Sequence, residues 1–304
     1  MMWDILRPDY RAHAQFVEPA RGQAQLWRLA FGIILAVGIW FYLSNFLATL
    51  IMSTVQADRQ PGLLQSLISG DTPGSMFFVL VQIALLIPAT GFVAMALHRR
   101  PPMSLVGPVK RLLPQFAAVF AMQFLLILVL SILPPYTFDG ALPTPNLSLG
   151  HWMALLPLAL VAVLFQCAAE EIAFRGYIQQ QLAARFKSPV IWMILPSVLF
   201  ALGHYDPDET GSNALAIAAL SGFFGLLLAD LTARSGTLGP AIAMHLANNF
   251  VAMLLMSPQG SLTGLALFTS PIDLSDEALV RTWLPVDLAT MLVSWLAARL
   301  VLRR

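Results

Sequence analysis

From about residue 29 onward the chain is a succession of apolar runs, most of them near the roughly 20 residues that a helix needs to cross a bilayer. Windows of about 19 residues place them near 29–54, 75–97, 112–133, 152–174, 190–204, 213–232, 237–256 and 282–302. Hydrocarbon cannot satisfy backbone N–H and C=O groups, so runs of this kind must satisfy their own as helices. The expected fold class is therefore all-α, a polytopic membrane protein with eight transmembrane helices. Only 11% of the 304 residues are charged, against about a quarter in soluble domains. No polar block is long enough to fold separately, so residues 29–304 read as one transmembrane domain behind a cytoplasmic or interfacial segment, 1–28. The fifth run is short, opened by Pro189 and kinked at Pro196.

Charge alternates along the connections. Arg7, Arg11, Arg21 and Arg28, then Arg99, Arg100, Lys110 and Arg111, then Arg185 and Lys187, then Arg234, then Arg299, Arg303 and Arg304 fall on one side. The other side carries Asp58, Asp71, Asp139, Asp206, Asp208, Glu209, Asp273, Asp276 and Glu277 against only Arg59 and Arg281. By the positive-inside rule both termini are cytoplasmic. The chain is compact, which points to a bacterial inner membrane. Trp27, Trp152, Trp283 and Trp295 near span ends fit interfacial anchors, and Trp3, Tyr10 and Phe16 among the first arginines fit the membrane surface. Pro134, Pro135, Pro143 and Pro145 mark an exterior loop.

Several functions find little support in the sequence. A net charge of +1 without a basic stripe gives no footprint for nucleic acid. Cys167 is the sole cysteine, which excludes an internal disulfide and a thiol-built zinc site. A transporter would show an inverted repeat or paired broken helices, and neither is visible.

What remains are ionisable residues where lipid should be. Each costs on the order of 2.5 to 3.5 kcal/mol at mid-bilayer, so such residues turn inward, pair and serve function. They are Glu170, Glu171, Arg175, His204 and His245. Glu171 and Arg175, four apart, share a helix face and can pair, whereas Glu170 points elsewhere. The paired carboxylate is structural; its desolvated neighbour suits a general base. His245 and Asn249 project from one face, as do Phe200 and His204. Glu170 and His204 flank Lys187 at equal separations in sequence, so an antiparallel hairpin sets them level. The polar run Gln179, Gln180 and Gln181 lets that hairpin protrude into the cytoplasm, which would bring His245 to the same depth. A carboxylate, two imidazoles and an amide can deprotonate a water and donate to a tetrahedral oxyanion, and no serine or cysteine stands beside a base, so attack by activated water is favoured. Ser221, Gly222 and Gly225 are read as a close helix approach, Asp230 and Asp287 as locally bonded, Cys167 as a packing residue, and His98 and His151 as interfacial.

Glu170-Glu171-x-x-x-Arg175, Phe200-x-x-x-His204 and His245-x-x-x-Asn249, in that order on neighbouring spans, resemble the signature motifs of the CAAX-protease and bacteriocin-processing (Abi) family of intramembrane proteases. The motif-bearing core covers about residues 150–256, and the signature positions are intact. The resemblance implies an intramembrane endopeptidase acting on a membrane-tethered, CAAX-type lipidated protein or peptide, with lipid as its surroundings. Glu170 and His204 would activate water, His245 and Asn249 would stabilise the oxyanion, and Glu171, Arg175 and Phe200 would support them, in a site between the fourth, fifth and seventh spans. Members are described both as metalloenzymes and as metal-independent glutamate proteases, so the cofactor is either none or one zinc ion, held by Glu170, His204 and His245. A catalytically idle scaffold or bacteriocin-immunity factor on the same fold, and an ion- or proton-coupled transporter, are the alternatives.

Overall fold

Thr72 opens a helix by accepting from Ser75 N–H at 3.2 Å while Ser75 Oγ accepts from Thr72 N–H at 3.0 Å, a reciprocal cap with Pro73 at the first helical position. Asp276 caps the last helix by accepting from Leu279 N–H at 3.0 Å. The computed structural model describes residues 9–134 and 140–303. Trp3, Arg7, Pro135, Asp139 and Arg304 lie outside the described residues.

The helices are α1 Arg11–Val17, α2 Leu26–Met52, α3 Gln60–Ser69, α4 Pro73–Ala84, α5 Leu86–His98, α6 Val109–Ser131, α7 Leu149–Glu171, α8 Gln180–Arg185, α9 Pro189–Leu202, α10 Pro207–Thr210, α11 Ala214–Ser235, α12 Gly239–Asn249 and α13 Glu277–Leu302. A π-helical segment, Ile172–Gln179, joins α7 to α8, and a second, Phe250–Leu255, prolongs α12. Three two-residue strands, Thr144–Pro145, Met256–Ser257 and Phe268–Thr269, form a small sheet.

The protein is an all-α polytopic membrane protein. Six helical stretches among the described residues are long and apolar enough to cross a membrane. The expected spans near 190–204 and 237–256 are apolar helices too, but shorter: Pro189–Leu202 and Gly239–Leu255. Large apolar side chains face outward along the bundle, among them Phe31, Ile34 and Phe41 of α2 and Leu125 and Leu128 of α6, as a lipid-solvated surface requires. Half of the apolar window around α11 is buried, against 11% for α2, α6 and α13, so α11 is the central helix. It packs on α9, where a Cβ on Gly222 would meet Ala201 Cβ at 2.9 Å and one on Gly225 would meet Arg175 Nη2 at 3.0 Å. The small residues therefore permit the close approach expected of them.

Four expectations are corrected. Phe16 is not on the membrane surface but 1% exposed, inside a core with Leu105, Tyr177 and Leu238. Tyr10 is half-buried against the edge of Trp192. Gln179, Gln180 and Gln181 are likewise buried instead of forming a hydrated helix end: Gln180 donates to the carbonyls of Phe16 and Ser104 and accepts from Arg100, and Gln179 donates to Ala229 O. The polar end of the helix is covered by the N-terminal segment, which fits there because Gly236, at φ +70°, leaves no Cβ to strike Ala12 O. Trp295 and Trp152, expected as interfacial anchors, also bond inward, to Asp230 and to Leu254 O. His98, read as interfacial, is buried and joins Tyr177 Oη at 2.8 Å.

Candidate active site

The 37-residue helical stretch Leu149–Arg185 is about 55 Å long and carries both acidic residues at the end of α7, where it enters the π-helical segment. π-Helical turns are rare and recur at functional sites. The second one begins directly after Asn249, so both motif helices change their winding at the same place.

Glu171 is fully buried, and its Oε1 accepts from Arg175 Nη1 at 2.9 Å, as the four-residue spacing predicts. Arg175 is buried as well, donates through Nη2 to Gly225 O at 3.0 Å, and lies 4.8 Å over the Phe200 ring. The same Glu171 oxygen accepts from His245 Nδ1 at 2.9 Å. An arginine-paired carboxylate can only accept, so His245 must carry its proton on Nδ1, which aims Nε2 the other way. Nε2 then stands 3.5 Å from Glu170 Oε2. That oxygen is buried and makes no hydrogen bond among the described residues. The neighbouring carboxylates are thus divided as their spacing implies: Glu171 is anchored by a guanidinium and an imidazole, and Glu170 keeps an oxygen available.

Glu170, Phe200, His204, His245 and Asn249 all line one cavity of about 690 Å³. His204 reaches it because α9 is short. Fourteen residues span about 21 Å, less than the hydrocarbon core of about 30 Å, and the turn after Leu202 delivers His204 to the cavity instead of continuing as a helix. Its Nδ1 is 2.8 Å from Phe200 O, and its ring lies 4.4 Å from that of Phe200, which also meets His245 edge-on at 6.1 Å. Asn249 donates to Gln166 Oε1 at 2.9 Å. Glu171 and Arg175 stand behind the cavity wall.

Sequence reasoning missed part of the lining. Gln166 and Asn248 are on motif helices beside Glu170 and Asn249, and Gln166, four residues before Glu170, was legible as a polar residue on its face. Phe224 and Ser221 of α11, Trp40 and Ala36 of α2, and Thr90 of α5 form part of the wall. The site is therefore not confined to three spans. No one-helix pattern signals that α2 and α5 line the same cavity as α7.

A zinc ion on Glu170, His204 and His245 would need three converging donors and an open position. Among the described residues no group of three His, Cys, Asp or Glu side chains is placed to hold a metal, and both ring nitrogens of His245 face carboxylates. The donor set, as arranged, does not fit a metal centre.

Residues 152–251 match the family model described as type II CAAX prenyl endopeptidase Rce1-like. Over this stretch the chain is similar to that family. The matching region contains every residue of the three motifs together with Gln166, Phe224 and Asn248. The family is associated with protease activity. Beyond it, an uncharacterized protein of Bacillus subtilis (strain 168), YyaK, is 22% identical over 256 residues, which cover 82% of this chain and 84% of that protein. No solved structure matches.

Proposed function

We propose that the chain is an intramembrane endopeptidase that hydrolyses a peptide bond of a membrane-tethered protein or peptide, of the lipidated CAAX type, by water activated at Glu170. The observation that carries this reading is the split between the two carboxylates: Glu171 is anchored behind the wall by Arg175 and His245, whereas Glu170 lines a cavity that it shares with two imidazoles and an amide. A water held between Glu170 and His204 gives its proton to the Glu170 carboxylate as its oxygen attacks the scissile carbonyl. The oxyanion takes hydrogen bonds from Asn249 Nδ2 and from His245 Nε2 when that nitrogen is protonated. The proton held by Glu170 then passes to the leaving amine. Residues 29–304 act as one domain in a bacterial inner membrane, with both termini cytoplasmic.

The test is cleavage of a vesicle-tethered, lipidated reporter peptide by the purified protein. Wild type is expected to cleave and Glu170→Ala to be inactive while keeping the wild-type unfolding midpoint; undiminished cleavage by Glu170→Ala overturns the mechanism. Cleavage should also survive exhaustive chelation, and a strict zinc requirement would replace this route by a metal-assisted one.

A further inference from the structure

Asn249 has a primary amide, and a primary amide presents two different faces. Rotated by half a turn, its Oδ1 would occupy the place of Nδ2, and a donor to a developing oxyanion would become a repelling acceptor. The amide bonds of the site bear on which face is shown. Gln166 is 2% exposed and lines the cavity four residues before Glu170. Its Oε1 accepts from Asn249 Nδ2 at 2.9 Å and from the buried thiol of Cys167 at 3.3 Å. At the other end, Asn248 Nδ2 donates to Asn249 Oδ1 at 3.1 Å. Both contacts are satisfied in one orientation of Asn249 and both are lost in the other. In that orientation Asn249 Nδ2 bonds Gln166 and also lies toward the Cys167 sulfur, and it is this donor end that Gln166 fixes.

We infer that Gln166 is a positioning residue of the site: by accepting from Asn249 it fixes the amide with its donor side toward the reacting carbonyl, with Cys167 holding Gln166 and Asn248 closing the chain. This rests on the endopeptidase reading. It assigns a function to a glutamine that the three motifs omit, and it gives Cys167 a task beyond filling space. A structural glutamine would merely join α7 to α12; this one selects which atom of Asn249 the substrate meets.

The experiment is a double-mutant cycle on the full-length protein in vesicles with the reporter peptide. Gln166→Met keeps the length of the side chain and removes the acceptor. It should lower kcat by about tenfold to a hundredfold with KM unchanged, a smaller loss than the roughly 10²- to 10³-fold of deleting an oxyanion donor outright. In an Asn249→Ala background the same change should cost nothing further, because the group it orients is gone. Wild-type kcat in Gln166→Met, or an equal loss in both backgrounds, overturns the assignment. If the methionine variant does not fold, Gln166→Ala carries the same cycle, since it removes the acceptor without placing a long apolar chain among the amides. Glu170→Ala separates the two levels of the argument. If Glu170→Ala is inactive but Gln166→Met is normal, the positioning role fails and the endopeptidase stands; if wild type does not cleave, both fall.

Discussion

Two buried acid–arginine pairs with the same four-residue spacing sit in this molecule, Glu171–Arg175 at 2.9 Å and Asp230–Arg234 at 2.7 Å, and they have opposite surroundings. Around Asp230 every acceptor is used: Oδ1 takes Tyr10 Oη–H at 2.8 Å, and Oδ2 takes Arg234 Nε and Trp295 Nε1–H at 2.9 Å. Burial, together with the adjacent Asp230, pushes the Tyr10 phenol well above its ordinary range, so it stays a donor. Around Glu171 the same kind of pair has a second carboxylate beside it, and two carboxylate oxygens, Glu170 Oε2 and Glu171 Oε2, are buried without a hydrogen bond among the described residues. Buried charge by itself therefore does not mark a site. Bonding capacity left over beside a cavity does, and the closed cluster at Asp230 serves as a clasp that ties the N-terminal segment and α13 to α11.

The contrast is sharpest in catalysis. On the proposed function, in which Glu170 is the base, Glu170→Gln should reduce cleavage by about 10³-fold while the unfolding midpoint stays near wild type. A drop in the midpoint without loss of turnover would reverse the two roles. Asp230→Ala should do the opposite: leaving Arg234 without that carboxylate costs about 3 to 5 kcal/mol, seen as a lower thermal midpoint in detergent, with normal turnover by the protein that remains folded. Turnover lost at an unchanged midpoint would place Asp230 in the chemistry.

A smaller effect tests the clasp through pH. His13 of α1 is buried against Trp192 at 4.4 Å and accepts at Nε2 from Gln179, and burial lowers its pKa to about 4. The unfolded chain binds this proton near the ordinary value of about 6.5, so between those values the unfolded state holds more protons and stability falls as the pH falls. By pH 5 the loss is on the order of 2 kcal/mol, and His13→Phe should flatten the acid limb of a midpoint-against-pH curve. An unchanged acid limb would mean that the segment is not docked through His13. Smallest is Gly225→Ala, whose new methyl meets Arg175 Nη2 at 3.0 Å and Phe200 at 3.4 Å. Roughly 1 kcal/mol of overpacking is expected, with turnover more affected than by an equal destabilisation at the clasp; equal losses from both would show that α11 transmits nothing particular to the site.

Much of this was readable in advance because a helix carries its own ruler. Apolar runs located all the helices that line the cavity, and four-residue spacing foretold that Glu171 would bond Arg175. The same ruler was silent about partners. Asp230 and Arg234 have the same spacing yet bond as part of a closed cluster, and Gln179 to Gln181 read as a hydrated end when the N-terminal segment lies over them.

The amino-acid sequence by itself determined where helices run, that they belong in lipid, and which polar groups share a face, since these follow from periodicity along one axis. The tertiary structure alone decided that Glu171 answers to both Arg175 and His245, that Gln166 holds Asn249, and that α2 and α5 help to wall the cavity of Glu170. Those are relations between separate axes, set by which helix packs against which, and spacing within one helix carries no information about its neighbours.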